Sequence, residues 1–208
     1  EYIATLAEKY DVYVITDEVY EHIVYKPYVH TYFASLPGMF ERTLTCSSLS
    51  KTYSMTGWRL GHIVAPARII EGARKIHDFL TVGAASPLQE AATVGLQFSQ
   101  KYYDDLLTLY THKRDLMLSG LDRMGIAHTT PQGAYYVLLD ISEYGFKSDL
   151  EFCEVLARDV GVGAVPGSAF FKEPVNHLIR LHFAKSDETL NEALNHLEKM
   201  HEIIKKRN

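Results

Sequence analysis

An α/β fold in two bodies is the architecture this sequence predicts, and three observations carry it. β-rich runs alternate with segments of helical periodicity over residues 1 to about 108, the pattern of a sheet with flanking helices. Beyond that point the elements shorten, with strands at 135–139 and 178–183 set among helices. No linker or low-complexity stretch separates the two parts. The expected division is therefore a larger sheet body over 1–108 and a smaller α/β body over 109–208.

The elements follow in order. Tyr2, Ile3, Leu6, Ala7 and Tyr10 fall at helical spacing, so the chain opens inside an amphipathic helix. It does so with neither a methionine nor a capping residue, and the chain reads as the C-terminal portion of something longer. Residues 12–16 are a continuous β-rich run, the pattern of a buried strand. That places Asp17 at a C-terminal strand end, where open α/β sheets receive ligands. Residues 43–47 and 60–65 read as two more strands. Pro66 opens a helix with Ile69, Ala73, Ile76 and Leu80 on one face. Residues 87–124 are mostly helical, with a break expected near Lys101-Tyr102-Tyr103-Asp104. A short strand is expected over 162–165.

In the second body, Ser148 with Glu151 is a capping box ahead of a helix carrying Phe152, Val155 and Leu156. Ser186 caps the last helix, where Leu190, Leu194, Leu197 and Ile204 form an apolar stripe. Its end, Lys205-Lys206-Arg207, reads as a solvated terminus complementing the helix dipole.

Composition narrows the function. Of 208 residues, 47% are hydrophobic and 23% charged, ordinary for a globular protein. A net charge of −5 without a basic cluster gives no footprint for nucleic acid. No apolar run reaches membrane-spanning length. Two cysteines, Cys46 and Cys153, make no disulfide framework and fit a reducing, cytoplasmic setting. Ten histidines occur without metal-ligand spacing, and no metal is expected.

The chemistry concentrates around Lys51, in Ser48-Leu49-Ser50-Lys51-Thr52-Tyr53-Ser54-Met55-Thr56-Gly57-Trp58-Arg59. Its amine can form a Schiff base with an aldehyde cofactor. The Ser48 and Ser50 hydroxyls can hold a phosphate, and the Arg59 guanidinium can neutralise it. Asp17 can pair with a protonated ring nitrogen. Tyr20 can donate to a phenolic oxygen. Together these describe a pyridoxal 5'-phosphate site. Singly, each has a plainer reading: Asp17 a helix cap, Tyr20 packing, Lys51 a solvated charge, the Ser-rich stretch a turn. Trp58 and Tyr53 fit either a pocket wall or packing.

This segment, with Asp17-Glu18-Val19-Tyr20, resembles the class I/II aminotransferases, fold-type I pyridoxal phosphate enzymes. Pro131-Gln132-Gly133-Ala134-Tyr135-Tyr136, Gly163-Ala164-Val165-Pro166-Gly167-Ser168-Ala169-Phe170 and Ile179-Arg180-Leu181-His182 resemble its small-domain segments. Asp17 to His22 and Leu36-Pro37-Gly38-Met39 look most like the kynurenine and methionine aminotransferase branch. The resemblance implies part of the large-domain sheet with its helices over 1–108, and the small C-terminal domain over 109–208. It implies Lys51 as Schiff-base lysine, Asp17 as ring-nitrogen partner, and Tyr20 on the phenolic oxygen. Ser48, Ser50 and Arg59 would hold phosphate, and Arg180 the substrate α-carboxylate; without the family, Arg180 reads as a strand-edge ion pair. The implied reaction exchanges an amino group between an amino acid and a 2-oxo acid, in a homodimer. The implied N-terminal half would carry a phosphate loop and a ring stacked on the cofactor, so the chain alone is expected to be inactive. Two other activities share these residues: a pyridoxal phosphate lyase or synthase, and an aminotransferase-like effector domain of a transcription regulator.

Overall fold

The computed structural model describes residues 1–205. The chain divides into two compact units, Glu1–Leu106 and Leu107–Asn208. The reading of Lys206 and Arg207 as a solvated helix end lies outside the described residues.

In the first unit, α1 (Tyr2–Lys9) leads to β1 (Val14–Asp17). β2 (Thr43–Ser48) runs directly into the short helix α2 (Leu49–Thr52). β3 (Gly61–Val64), α3 (Ala67–Thr81) and α4 (Ser86–Leu96) complete the unit, with the first residues of α5 (Gln100–Arg123). The strands form one sheet in the order β1-β2-β3. β1 is parallel to β2, with Asp17 opposite Cys46; β3 is antiparallel to β2, with Gly61 opposite Ser48. Leu49, Leu60 and Ala92 make a small core beneath α2, with Tyr53, Met55 and Leu88 packed against it.

Three expectations change here. The run 12–16 is not a buried strand. The strand starts at Val14, Tyr13 is exposed and Ile15 is 72% exposed. β1 is the edge of a three-stranded sheet, and the described residues leave that face of it uncovered. Likewise the apolar face of α3 carries Ile76 and Leu80 in the open. Periodicity marks a face that needs cover without supplying the cover. The helix break falls at residues 97–99, ahead of Lys101, because Gln100 already begins α5. Tyr102 and Tyr103 instead pack: Tyr53 stacks on Tyr102 at 5.8 Å and shares a 2.8 Å hydroxyl contact with Tyr103.

The second unit is built on β4 (Tyr136–Asp140), β5 (Val165–Pro166) and β6 (Leu178–His182), paired antiparallel in the order β4-β6-β5. The strand expected over 162–165 shrinks to two residues. Alternation is clean: Val137, Leu139, Ile179 and Leu181 are buried, so Tyr136, Leu138 and Arg180 face the other way. α6 (Asp149–Val155) buries Phe152, Cys153 and Val155, then widens into a π-helical turn over Leu156–Val160. α7 (Asp187–Glu198) and α8 (Met200–Lys205) follow, with Leu190, Leu194, Leu197 and Ile204 buried. Both predicted caps form. Ser148 Oγ accepts from the Glu151 N–H at 3.1 Å, and Ser186 Oγ from the Thr189 N–H at 3.3 Å. Gly120 of α5 has a plain packing reason, since a Cβ there would come within 2.5 Å of Leu194. Among the described residues no helix is long and apolar enough to cross a membrane.

Asp149, the first residue of α6, is 2% exposed. Its carboxylate accepts from the Ser168 N–H at 2.7 Å and the Ser168 hydroxyl at 3.1 Å. Burial pushes this carboxyl up, but the bonds from Ser168 and Leu150 outweigh it and hold it below its ordinary value of 3.8. The unfolded chain therefore binds this proton more tightly than the folded one. The bonds contribute in full above about pH 4 and are lost as pH falls through the lowered folded value. Wild-type chain is expected to lose more unfolding midpoint between about pH 5 and about pH 3 than Asp149→Asn does. The other carboxylates titrate in both proteins and cancel in the difference. Parallel midpoint curves would refute this.

Candidate active site

Asp17 and Ser48 end two neighbouring parallel strands, the position where this kind of sheet accepts ligands. Ser48 is both the last residue of β2 and the N-cap of α2, its Oγ accepting from the Ser50 N–H at 3.3 Å. With no loop between strand and helix, Ser50 and Lys51 are held within one turn of the strand end.

Arg59 returns to the same place by sheet pairing. After α2 the chain turns through a 3-10 segment, Thr56–Trp58, and Arg59 closes it with φ 54, in the left-handed region. That conformation is uncommon for a residue with a side chain. Leu60 then accepts from the Leu49 N–H at 3.2 Å, and Gly61 pairs with Ser48. A Cβ on Gly61 would lie 3.0 Å from the Ser47 carbonyl oxygen, so the close pairing favours glycine. Arg59 Nη1 donates to the Thr56 carbonyl at 3.1 Å, and Thr56 Oγ1 to the Ser50 carbonyl at 3.1 Å. These bonds aim the guanidinium while leaving other N–H groups of its fork for a ligand.

The result is an open cavity of about 450 Å³ whose lining includes Asp17, Ser48, Ser50, Lys51, Thr56 and Arg59. An amine, a carboxylate, several hydroxyls and a guanidinium meet in one place. Asp17 is exposed at the strand end, where Oδ1 accepts from the Val19 N–H at 3.3 Å. Lys51 is half-buried. Cys46 also lines the cavity; burial and then the Asp17 charge push its thiol up, so it stays protonated at neutral pH. A larger hollow of about 570 Å³ lies along α3, but Glu71, Arg74, Lys75, His77 and Asp78 lining it all come from that one helix. It gathers no convergent chemistry.

Tyr20, three residues past Asp17, is half-buried and is not in the lining. Trp58 is exposed, Tyr53 belongs to the tyrosine cluster, and neither lines the cavity. Arg180 lies on β6 in the second unit. Its Cζ sits 4.2 Å from the Tyr136 ring centroid and 3.9 Å from that of Phe170. The plainer reading of Arg180, a strand-edge ion pair, fails on position: β6 is the central strand of its sheet. His182, two residues on, is held below its ordinary value by burial and by the Lys185 and Arg180 charges.

Behind the cavity lies a layer of residues that sequence reasoning left without a role. Glu18, buried, accepts from Thr16 Oγ1 at 2.8 Å and meets His30 Nε2 at 2.9 Å. Its N–H donates to the Cys46 carbonyl at 2.8 Å, extending the β1–β2 pairing past Asp17. Glu21 accepts from Ser47 Oγ at 3.1 Å. Tyr32 is pushed up to about 12 by burial, then by Glu21, to which its hydroxyl also bonds. Glu18 and Glu21 directly follow Asp17 and Tyr20 in sequence. His30 and Tyr32 carried no local signal. Thr56 had one, the density of hydroxyl residues over 47–56.

Known proteins share this arrangement of chain. The family described as aminotransferase class I and II matches residues 1–197. Methionine aminotransferase of Escherichia coli is 38% identical over 192 residues, covering 92% of this chain and 50% of the relative. Aspartate aminotransferase of Pyrococcus abyssi is 39% identical over 202 residues, covering 96% and 51%. The crystal structure of an aromatic aminotransferase from Pyrococcus horikoshii superposes with a TM-score of 0.90 at 35% identity, over 97% of this chain and 54% of that one. The chain spans about half the length of the curated relatives it matches. Relatives named for different amino acids stand at nearly equal identity, so overall likeness does not choose a substrate. The α/β sheet with its helices, the strand-end cavity and a match over nearly the whole sequence agree, and the chain belongs to the class I and II aminotransferases.

Proposed function

We propose that the chain is part of an enzyme that exchanges amino groups between amino acids and 2-oxo acids using pyridoxal 5'-phosphate, inactive as this chain alone, with residues 1–108 contributing to the cofactor-binding domain and 109–208 forming the small domain. The observation that carries this is the convergence of Lys51, Asp17, Ser48, Ser50 and Arg59 on one cavity. The donor set suits the cofactor. Hydroxyls and a guanidinium match a phosphate dianion, an amine matches an aldehyde, and a strand-end carboxylate matches a protonated ring nitrogen.

When bound, the cofactor supplies an electron sink for the substrate α-carbon. The chain's residues do the rest. Arg59 binds phosphate through its in-plane fork, with Ser48 and Ser50 donating beside it. The Asp17 charge keeps the ring nitrogen protonated. Lys51 is the base that would carry a proton between the substrate α-carbon and the cofactor. Tyr20 donates to the phenolic oxygen, a role that rests on the family resemblance. Arg180 pairs with the substrate α-carboxylate, and the working protein is a homodimer; both rest on the same resemblance. Methionine and aspartate, named for the relatives, are the first substrates to try.

Incubation of the chain with pyridoxal phosphate, borohydride reduction and peptide mapping tests the seat. Label confined to Lys51 is expected. Label spread over several lysines, or none retained, would sink the assignment.

A further inference from the structure

The Arg180 side chain is flanked by rings from two separate elements, both within Leu107–Asn208. On β6 it faces away from the buried side of the sheet, opposite Leu138 of β4 and Val165 of β5. Tyr136 lies two residues along β4 from Leu138, so it is the diagonal neighbour on the same face. Its ring centroid is 4.2 Å from Arg180 Cζ. The second ring, Phe170 at 3.9 Å, comes from outside the sheet. It ends the 3-10 turn Gly167–Phe170, which follows β5 directly.

That turn is tied at two points. Gly167 lies so close to β6 that a Cβ would sit 2.4 Å from the Leu178 carbonyl oxygen. Ser168 is bound through both its N–H and its hydroxyl to the carboxylate of Asp149, nineteen residues earlier. Asp149 is itself fixed at the start of α6, next to the Ser148 cap, and is 2% exposed. A buried carboxylate is costly unless its hydrogen bonds are satisfied, so the turn and the helix start hold each other in place. Phe170, by contrast, is 47% exposed. An aromatic ring at a half-open surface beside a cation calls for a reason beyond core packing.

An unrestrained arginine spreads over many rotamers, and a carboxylate must collect it before binding. Ring faces against the guanidinium remove that freedom and leave its N–H edge, the side that matches a carboxylate fork. We propose that Asp149 is a positioning residue for carboxylate recognition: through Ser168 it sets the turn that carries Phe170, and Phe170 with Tyr136 presents the Arg180 edge to a carboxylate ligand. This rests on the reading of Arg180 as the substrate-carboxylate group.

The test uses the full 208-residue chain labelled with nitrogen-15. The Arg180 Nε–H signal, identified by its loss in Arg180→Lys, is expected to be shifted upfield by the rings and to move on titration with sodium pyruvate. Phe170→Leu and Asp149→Asn should each reduce the upfield shift and raise the apparent pyruvate Kd by about 3- to 10-fold. Phe170→Tyr, which keeps a ring, should restore both. If Asp149→Asn does not fold, Ser168→Ala removes one of the two Ser168 bonds and should move the same signal in the same direction. An Arg180 signal indifferent to pyruvate in the wild type overturns the proposal. So does Asp149→Asn or Ser168→Ala lowering the unfolding midpoint while leaving signal and Kd unchanged, since that marks a purely structural tie. Lys51 labelling by pyridoxal phosphate is read separately on the same samples. Loss of that label with an intact Arg180 response sinks the cofactor reading alone; an intact label with an unresponsive Arg180 sinks this inference and the Arg180 assignment while the cofactor reading stands.

Discussion

Lys51→Ala is expected to abolish borohydride-stable attachment of pyridoxal phosphate and to leave the unfolding free energy of the chain within about 1 kcal/mol of wild type. The first half follows from chemistry. A covalent link to an aldehyde needs a primary amine, and Lys51 is the lysine in the lining that holds Asp17, Ser48, Ser50 and Arg59. The second half follows from position. Lys51 is half-buried in the last turn of α2, and alanine is the strongest helix former. Lys51→Arg separates charge from nucleophilicity, because it keeps the cation but cannot make the link. Where the whole protein turns over, loss of this base alone should lower kcat by about 10²- to 10⁴-fold. Mass analysis of the reduced adduct reads the result. An undiminished adduct on another lysine would remove Lys51 from the mechanism.

Phe152→Ala should give the largest loss of stability, about 3–5 kcal/mol by urea unfolding. Phe152 is 0% exposed on α6, with Tyr144 and Phe146 rings at 5.3 and 5.1 Å. Truncation removes apolar contact and leaves a cavity between aromatic neighbours that relax only in part. It also loosens α6 one turn from Asp149, so the hold on Ser168 should weaken with it. Phe152→Leu, which fills most of the space, should cost much less. A loss below about 1 kcal/mol for Phe152→Ala would mean that the site collapses around the gap, and that the core here is softer than its burial implies.

The caps and stripes of the second unit were legible because they depend on residues three or four apart. Ser148 with Glu151, the Ser186 cap and the leucines of α7 formed as the sequence indicated, while the single last helix expected through Ile204 breaks at Lys199. Strand positions were legible too, but their exposure was not. The run ending at Asp17 has the composition of a covered strand, and Ile15 nonetheless stands open at a sheet edge. Composition reports what a strand could bury, whereas its neighbours decide what it does bury.

The same division runs through the site. The sequence by itself determined the chemical types around Lys51 and placed Asp17 at a strand end, since amine, hydroxyl, carboxylate and guanidinium are read directly. Only the tertiary structure decided which of them meet. Arg59 reaches Ser48 and Ser50 because β3 turns back antiparallel on β2, and Tyr20 falls outside the lining although it sits only three residues from Asp17. Glu18 finds His30, Asp149 finds Ser168, and Arg180 finds Tyr136 and Phe170 across 10 to 44 positions of sequence. No local period encodes such pairs. They exist because strand pairing and core burial close the intervening chain, and that closure is a property of the whole fold.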